Sequence, residues 1–161
     1  MPNMHIVRGI PGSGKSTHAQ YLSQRFHDDS GIVCLETDQL FMDSGKYCFN
    51  IDNLGINHKK MLNIVSTFIS SGADVIISNT FTTLKELKPY LELAGRSKYT
   101  VYIHDIFTQY VSTHNVPKEV IEKMKKRFKP FDEILNGHRD NIEKIIDCSS
   151  IIYTTQGEKN G

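Results

Sequence analysis

Gly9, Gly14, Lys15 and Ser16 match the spacing G-x-x-x-x-G-K-[ST] within Gly9-Ile10-Pro11-Gly12-Ser13-Gly14-Lys15-Ser16-Thr17. This spacing brings backbone N–H groups, one ammonium and one hydroxyl to a single anion. Gly12 and Gly14 let the chain turn tightly, so that its amides meet phosphate oxygens without a side chain in the way. A helix starting near Lys15 aims its N-terminal dipole at the same place. On this reading Lys15 bridges the β- and γ-phosphates of ATP or another nucleoside triphosphate. Ser16 offers its hydroxyl to Mg²⁺ and Thr17 donates to the α-phosphate. Gly12, Ser13, Gly14, Lys15, Ser16 and Thr17 are therefore the candidate nucleotide-binding residues.

Two further positions carry candidate chemistry. Asp38, in Glu36-Thr37-Asp38-Gln39, follows a strand-like segment. In an open parallel sheet, ligands gather at the carboxyl ends of strands. A carboxylate there either takes the proton of an attacking hydroxyl or helps to hold the metal; the plainer role is a loop or helix-capping aspartate. Asn79 ends Ile76-Ile77-Ser78-Asn79. It either accepts a hydrogen bond from a metal-bound water, adding no charge, or satisfies a turn. The expected metal set is Ser16, Asp38 and Asn79. The seven histidines show no H-x-x-x-H pairing. Lys118, Lys123, Lys125, Lys126, Arg127 and Lys129 crowd the segment after Pro117. Such a run is either a solvated helix face or a set of cations for phosphates. Lys123 and Arg127 are one helical turn apart and can act on one anion together, which makes Arg127 a candidate catalytic cation.

Strand and helix signals alternate along the chain. Met4–Arg8, Gly31–Leu35, Val75–Ser78, Tyr99–Ile103 and Ile151–Thr154 read as strands. Helical spacing is expected over Lys15–Phe26, over Asn57–Ser70 with an apolar stripe at Met61, Ile64, Val65 and Phe68, and over Asp132–Ile146. Ser71-Gly72 closes the second of these. Thr83 and Glu86 have capping-box spacing, and Pro89 either kinks the helix that follows or opens a new first turn. Pro117 suits the first position of a helix to about Phe128. Residues 37–50 have no clean period and read as a loop with short helical turns. The alternation predicts an α/β three-layer sandwich: a mostly parallel sheet with helices on both faces.

The 161 residues suit one domain, 1–161, with the residues after Gln156 expected to fray. With 39% apolar and 23% charged residues, the chain has the composition of a folded globular protein. A net charge of +1 gives no global positive field, so nucleic acid would have to be met by a local patch. No apolar run approaches the roughly 20 residues that span a bilayer. No signal peptide is expected, and Cys34, Cys48 and Cys148 read as reduced, inert thiols of a cytoplasmic protein.

Arg8 to Thr17 in its Pro-Gly-Ser-Gly form, Thr37-Asp38, Gly45-Lys46-Tyr47-Cys48-Phe49, His58, Ile76 to Thr80, Leu87-Lys88-Pro89-Tyr90, His114-Asn115-Val116-Pro117 and Met124 to Phe128 together resemble a known family. It is the polynucleotide 5′-hydroxyl kinase-like P-loop family, akin to AAA-type ATP-binding and zeta-toxin-like P-loop kinases. The resemblance covers about residues 4–130. It implies the adenylate-kinase-like branch of P-loop folds, Asp38 as general base, a lid-like segment at about 108–130, and His58 and His114 lining the site. Two departures stand out. Tyr110-Val111-Ser112-Thr113 holds none of the lid arginines of relatives, and Phe41 stands where a family member has an arginine. Such an arginine stabilises transferred charge.

The reading is an ATP- and Mg²⁺-dependent kinase acting on a hydroxyl of a nucleic acid, in particular a polynucleotide 5′-hydroxyl. A nucleoside or small-metabolite kinase and a nucleotide-binding regulatory protein with little catalysis are the alternatives. No membrane partner is expected.

Overall fold

Met4, Ile6 and Val7, with His5 among them, make a short and mostly apolar segment that forms the buried middle of β1 (Asn3–Arg8). The computed structural model describes residues 2–25, 32–36, 42–43, 46–47, 54–106, 117–131, 133 and 145–148. Within these, α1 (Lys15–Arg25) follows β1 and leads to β2 (Ile32–Glu36). A two-stranded antiparallel ladder, β3 (Met42–Asp43) with β4 (Lys46–Tyr47), precedes α2 (Leu54–Ser70). Then come β5 (Asp74–Asn79), α3 (Leu84–Arg96), β6 (Thr100–Asp105), α4 (Lys118–Arg127) and β7 (Ile145–Asp147).

The main sheet has the order β2-β5-β1-β6-β7, and each of its pairings is parallel. Side chains alternate across β1. Met4 and Ile6 join Val75, Ile77, Val101 and Ile103 on the face covered by α2 and α3. Val7 and Ile76 join Ala19 and Leu22 of α1 on the other face. Both faces are thus covered, as a parallel sheet requires. The chain leaves β1 through α1 to β2 on one flank, whereas β5 returns through α3 to β6 on the other. The carboxyl end of β1 is therefore the switch point of the sheet, where such folds open a crevice.

The fold is the α/β P-loop arrangement expected, but several local expectations change. Residues 145–147 are a strand beside β6, not the end of a helix. Their apolar pair fits either period, and parallel pairing with β6 decides it. Of the stretch 37–50, the described residues 42–43 and 46–47 form the β3–β4 ladder instead of helical turns. In α2 the fully buried line is Met61, Val65 and Ile69; Leu62 and Phe68 pack beside it. Thr83 is the N-cap of α3, yet its side chain makes no cap bond. Glu86 reaches one residue further back and takes both the N–H and the hydroxyl of Thr82, each at 2.9 Å. Helix α3 runs through Pro89, and Pro117 is the N-cap of α4 rather than its first residue. The strand expected at 151–154 and the body of the helix expected from 132 lie outside the described residues. Among the described residues, no helix is long and apolar enough to cross a membrane.

Candidate functional site

The loop after β1 has the backbone its glycines were expected to give. Gly12 and Gly14 stand at φ of 84° and 88°, a region that penalises any Cβ. Ser13 N–H donates to the Ile10 carbonyl at 3.1 Å, and His18 N–H closes the first turn of α1 on Gly14 at 3.0 Å. A Cβ at Gly9 would collide with Ser13 Oγ and lie 3.2 Å from the Ile106 carbonyl. Ser13 Oγ is buried with no hydrogen-bond partner. Lys15, in the first turn of α1, is only 6% exposed. A cation beside a helix N-terminus and a glycine cradle is an arrangement that can receive an anion.

Ser16 Oγ donates to Glu36 Oε2 at 3.3 Å. Glu36 ends β2 at the same sheet edge, two residues before Asp38. A hydroxyl beside a carboxylate is the oxygen-rich set that suits a hard divalent cation, so these residues fit Mg²⁺. Glu36 was missed in the sequence, although its place at a strand's carboxyl end was a usable signal. The same carboxylate adds to burial in raising the Cys34 thiol to about 11, which keeps that thiol protonated and unreactive. Asp38 lies outside the described residues, as does His114.

Asn79 is buried opposite Arg8 in the β1–β5 register. Its Oδ1 accepts the Thr80 N–H at 2.8 Å, which fixes the amide's orientation. Its Nδ2 therefore donates to His58 Nδ1 at 3.3 Å, and neutral His58 carries its proton on Nε2. Burial lowers the His58 pKa, opposed by Glu86. Asn79 Oδ1 keeps a second lone pair for a water.

Arg8 is fully buried under this loop. Its guanidinium donates to Asp105 Oδ1 at 2.8 Å, to the Phe81 carbonyl at 3.1 Å and to the Lys129 carbonyl at 2.8 Å. Phe81, also fully buried, has a φ of 44°, a left-handed conformation that strains a bulky residue. Lys123, Lys125, Lys126 and Arg127 are exposed on α4; Met124 is the buried residue that seats the helix. Lys125 pairs with Glu122 at 3.5 Å. The positive end of α4 thus begins two residues from the Arg8 contact at Lys129.

A second buried polar group lies on the α1 face. His5 Nδ1 and His104 Nε2 are 3.1 Å apart, and His104 Nδ1 is 3.3 Å from His18 Nε2. Burial lowers His5 to about 4, opposed by Asp74. Burial first, then His18 and His5, lowers His104 to about 3. All three histidines are buried.

A family model described as an AAA domain matches residues 4–111. Human NEDD4-binding protein 2 is 32% identical over 158 residues, a match covering 89% of this chain. The chain spans 9% of the length of that relative. Among solved structures, a chain of the Pnkp1/Rnl/Hen1 complex is similar with a TM-score of 0.51 and 24% identity, covering 76% of this chain and 38% of that one. Kti12 from Chaetomium thermophilum, solved in complex with ADP-AlF3, is similar with a TM-score of 0.61 and 11% identity, covering 91% of this chain and 88% of that one.

Proposed function

Because the chain belongs to the AAA-domain family of P-loop proteins, we propose that it is an ATP-dependent kinase that moves the γ-phosphoryl group to a hydroxyl of a nucleic acid, in particular a polynucleotide 5′-hydroxyl. The observation that carries this reading is the grouping of the glycine cradle, buried Lys15 and the Ser16–Glu36 pair at the carboxyl end of the sheet. In the proposed reaction Asp38 takes the acceptor's proton as the acceptor oxygen bonds to the γ-phosphorus. The bond from that phosphorus to the bridging oxygen breaks, and ADP leaves with the electron pair. Lys15 holds the β- and γ-phosphates, with Gly12, Ser13, Gly14 and Thr17 donating around them. Ser16, Asp38 and Asn79 would hold Mg²⁺, with Glu36 in reach; the ion supplies neutralisation of phosphate charge. Arg127 and Lys123 supply the positive charge that residues 110–113 lack.

The test is radiolabelled ATP with a panel of 5′-hydroxyl DNA, 5′-hydroxyl RNA and nucleosides. Label should pass to the oligonucleotides, and Asp38→Asn should lower transfer about 10²-fold while ATP affinity stays within a few-fold. Label on nucleosides alone would replace the reading with a nucleoside or small-metabolite kinase. Tight nucleotide binding without transfer to any acceptor would replace it with a regulatory nucleotide-binding protein.

A further inference from the structure

The arginine at the end of β1 makes contacts that an ordinary strand-end residue does not. A buried guanidinium needs its charge matched and its donors filled. Asp105, itself 2% exposed at the end of β6, matches the charge. Two further hydrogen bonds reach beyond the central strands. One is the carbonyl of strained Phe81, just past β5, and another is the carbonyl of Lys129, just past α4. The Phe128 ring lies over the guanidinium at 4.7 Å. Asp105 Oδ2 then accepts the Phe131 N–H at 2.9 Å, so the pair holds the segment 128–131 from both sides. Meanwhile the Arg8 carbonyl accepts the Ile106 N–H at 2.8 Å, and the next residue is Gly9, where the phosphate loop begins.

We propose that Arg8 is a positioning residue that fixes the basic end of α4 in register with the phosphate loop. One side chain bonds the last residues after the helix, and its own backbone leads directly into the cradle. The cations at 123–127 therefore start from a fixed distance to a bound triphosphate, instead of sweeping a volume. Holding a charged group within a narrow range converts it from a diffuse counter-ion into an oriented one. Lysine cannot replace arginine here. Its single ammonium cannot serve Asp105, Phe81 and Lys129 in one plane, although it keeps the charge. The assignment rests on the nucleotide-binding part of the proposed function and does not require a particular acceptor.

The test compares wild type with Arg8→Lys, using Mg·AMPPNP as the probe. Calorimetry gives the affinity, and amide hydrogen exchange over residues 118–131 reads the helix. In wild type the nucleotide should slow exchange there by about fivefold or more. Arg8→Lys should bind Mg·AMPPNP within about threefold of wild type but lose that slowing. Where transfer is measurable, its kcat should drop by about tenfold with the ATP KM nearly unchanged. If Arg8→Lys does not fold, Phe128→Leu removes the ring over the guanidinium, keeps the hydrogen bonds, and should weaken the slowing by half or more. Slowing retained in a folded variant would overturn the assignment, as would nucleotide binding by wild type with no slowing in α4. Failure of wild type to bind the nucleotide at all would instead overturn the proposed function.

Discussion

At the scale of single residues, buried Lys15 offers the most direct experiment. Its ammonium lies in the first turn of α1, where the helix N-terminus already repels a cation. A phosphate bound there would meet both the ammonium and the helix N-terminus, and hydrogen bonds to charged groups contribute roughly 1.5–3 kcal/mol each. Lys15→Ala should therefore lower Mg·ATP affinity at least tenfold in calorimetry, while the fold survives. Unchanged affinity would remove Lys15 from the site. Asn79 and Glu36 show how far residue types alone can be read. An asparagine at a strand end was recognisable as a polar group at the right edge. Its bond to His58, and that of Ser16 to Glu36, join residues about 20 positions apart and follow only from the fold. Arg8 was hidden for a different reason. An arginine next to a glycine turn ordinarily points to solvent, and its acceptors at 81, 105 and 129 are scattered through the chain.

At the scale of elements, α4 carries the open question of catalysis. Lys123 and Arg127 share a face and are exposed, and Met124 alone of the helix is buried. With so little apolar area on the helix itself, its placement depends on the segment 128–131, which Arg8 and Asp105 hold. Arg127→Ala should lower turnover about tenfold or more and move the melting temperature by no more than a degree or two, since an exposed cation contributes little to stability. Turnover equal to wild type would leave α4 as a solvated face. The central strands and α2 were legible from apolar runs and periodicity, because each buries a whole face. Residues 145–147 were not, because two adjacent isoleucines look alike in a helix and in a strand. Thr82, Thr83 and Glu86 were half legible: the helix start was visible, but the choice of donor depended on how the chain leaves strained Phe81.

At the scale of the whole molecule, the two faces of the sheet are chemically unequal. One buries an apolar core, whereas the other buries the imidazoles of His5, His18 and His104 beside α1. His5 and His104 are lowered to about 4 and about 3 when folded, against 6.5 in a free chain. Below about pH 6.5 the unfolded chain therefore binds protons that the folded one refuses. The stability these rings permit is complete above pH 6.5 and drains away as the pH falls toward 4. Between pH 7.5 and 5 the melting temperature should fall by several degrees, the equivalent of a few kcal/mol in a protein of this size. A flat melting profile over that range would mean that the rings are hydrated or already charged. His104→Gln should shallow the slope, since it removes one of the titrating rings.

The strand order has a consequence in time. β1 lies between β5 and β6, both of which are synthesised after it. Arg8 and Asp105, the pair beneath the phosphate loop, are 97 positions apart. At ribosomal speeds of about 5–20 residues per second, roughly 5–20 seconds pass between the making of the arginine and of its aspartate. Throughout that interval the glycine loop exists as sequence but has no sheet edge to stand on. On the proposed function, the nascent chain should therefore bind no nucleotide until β6 has emerged, although its loop was translated long before.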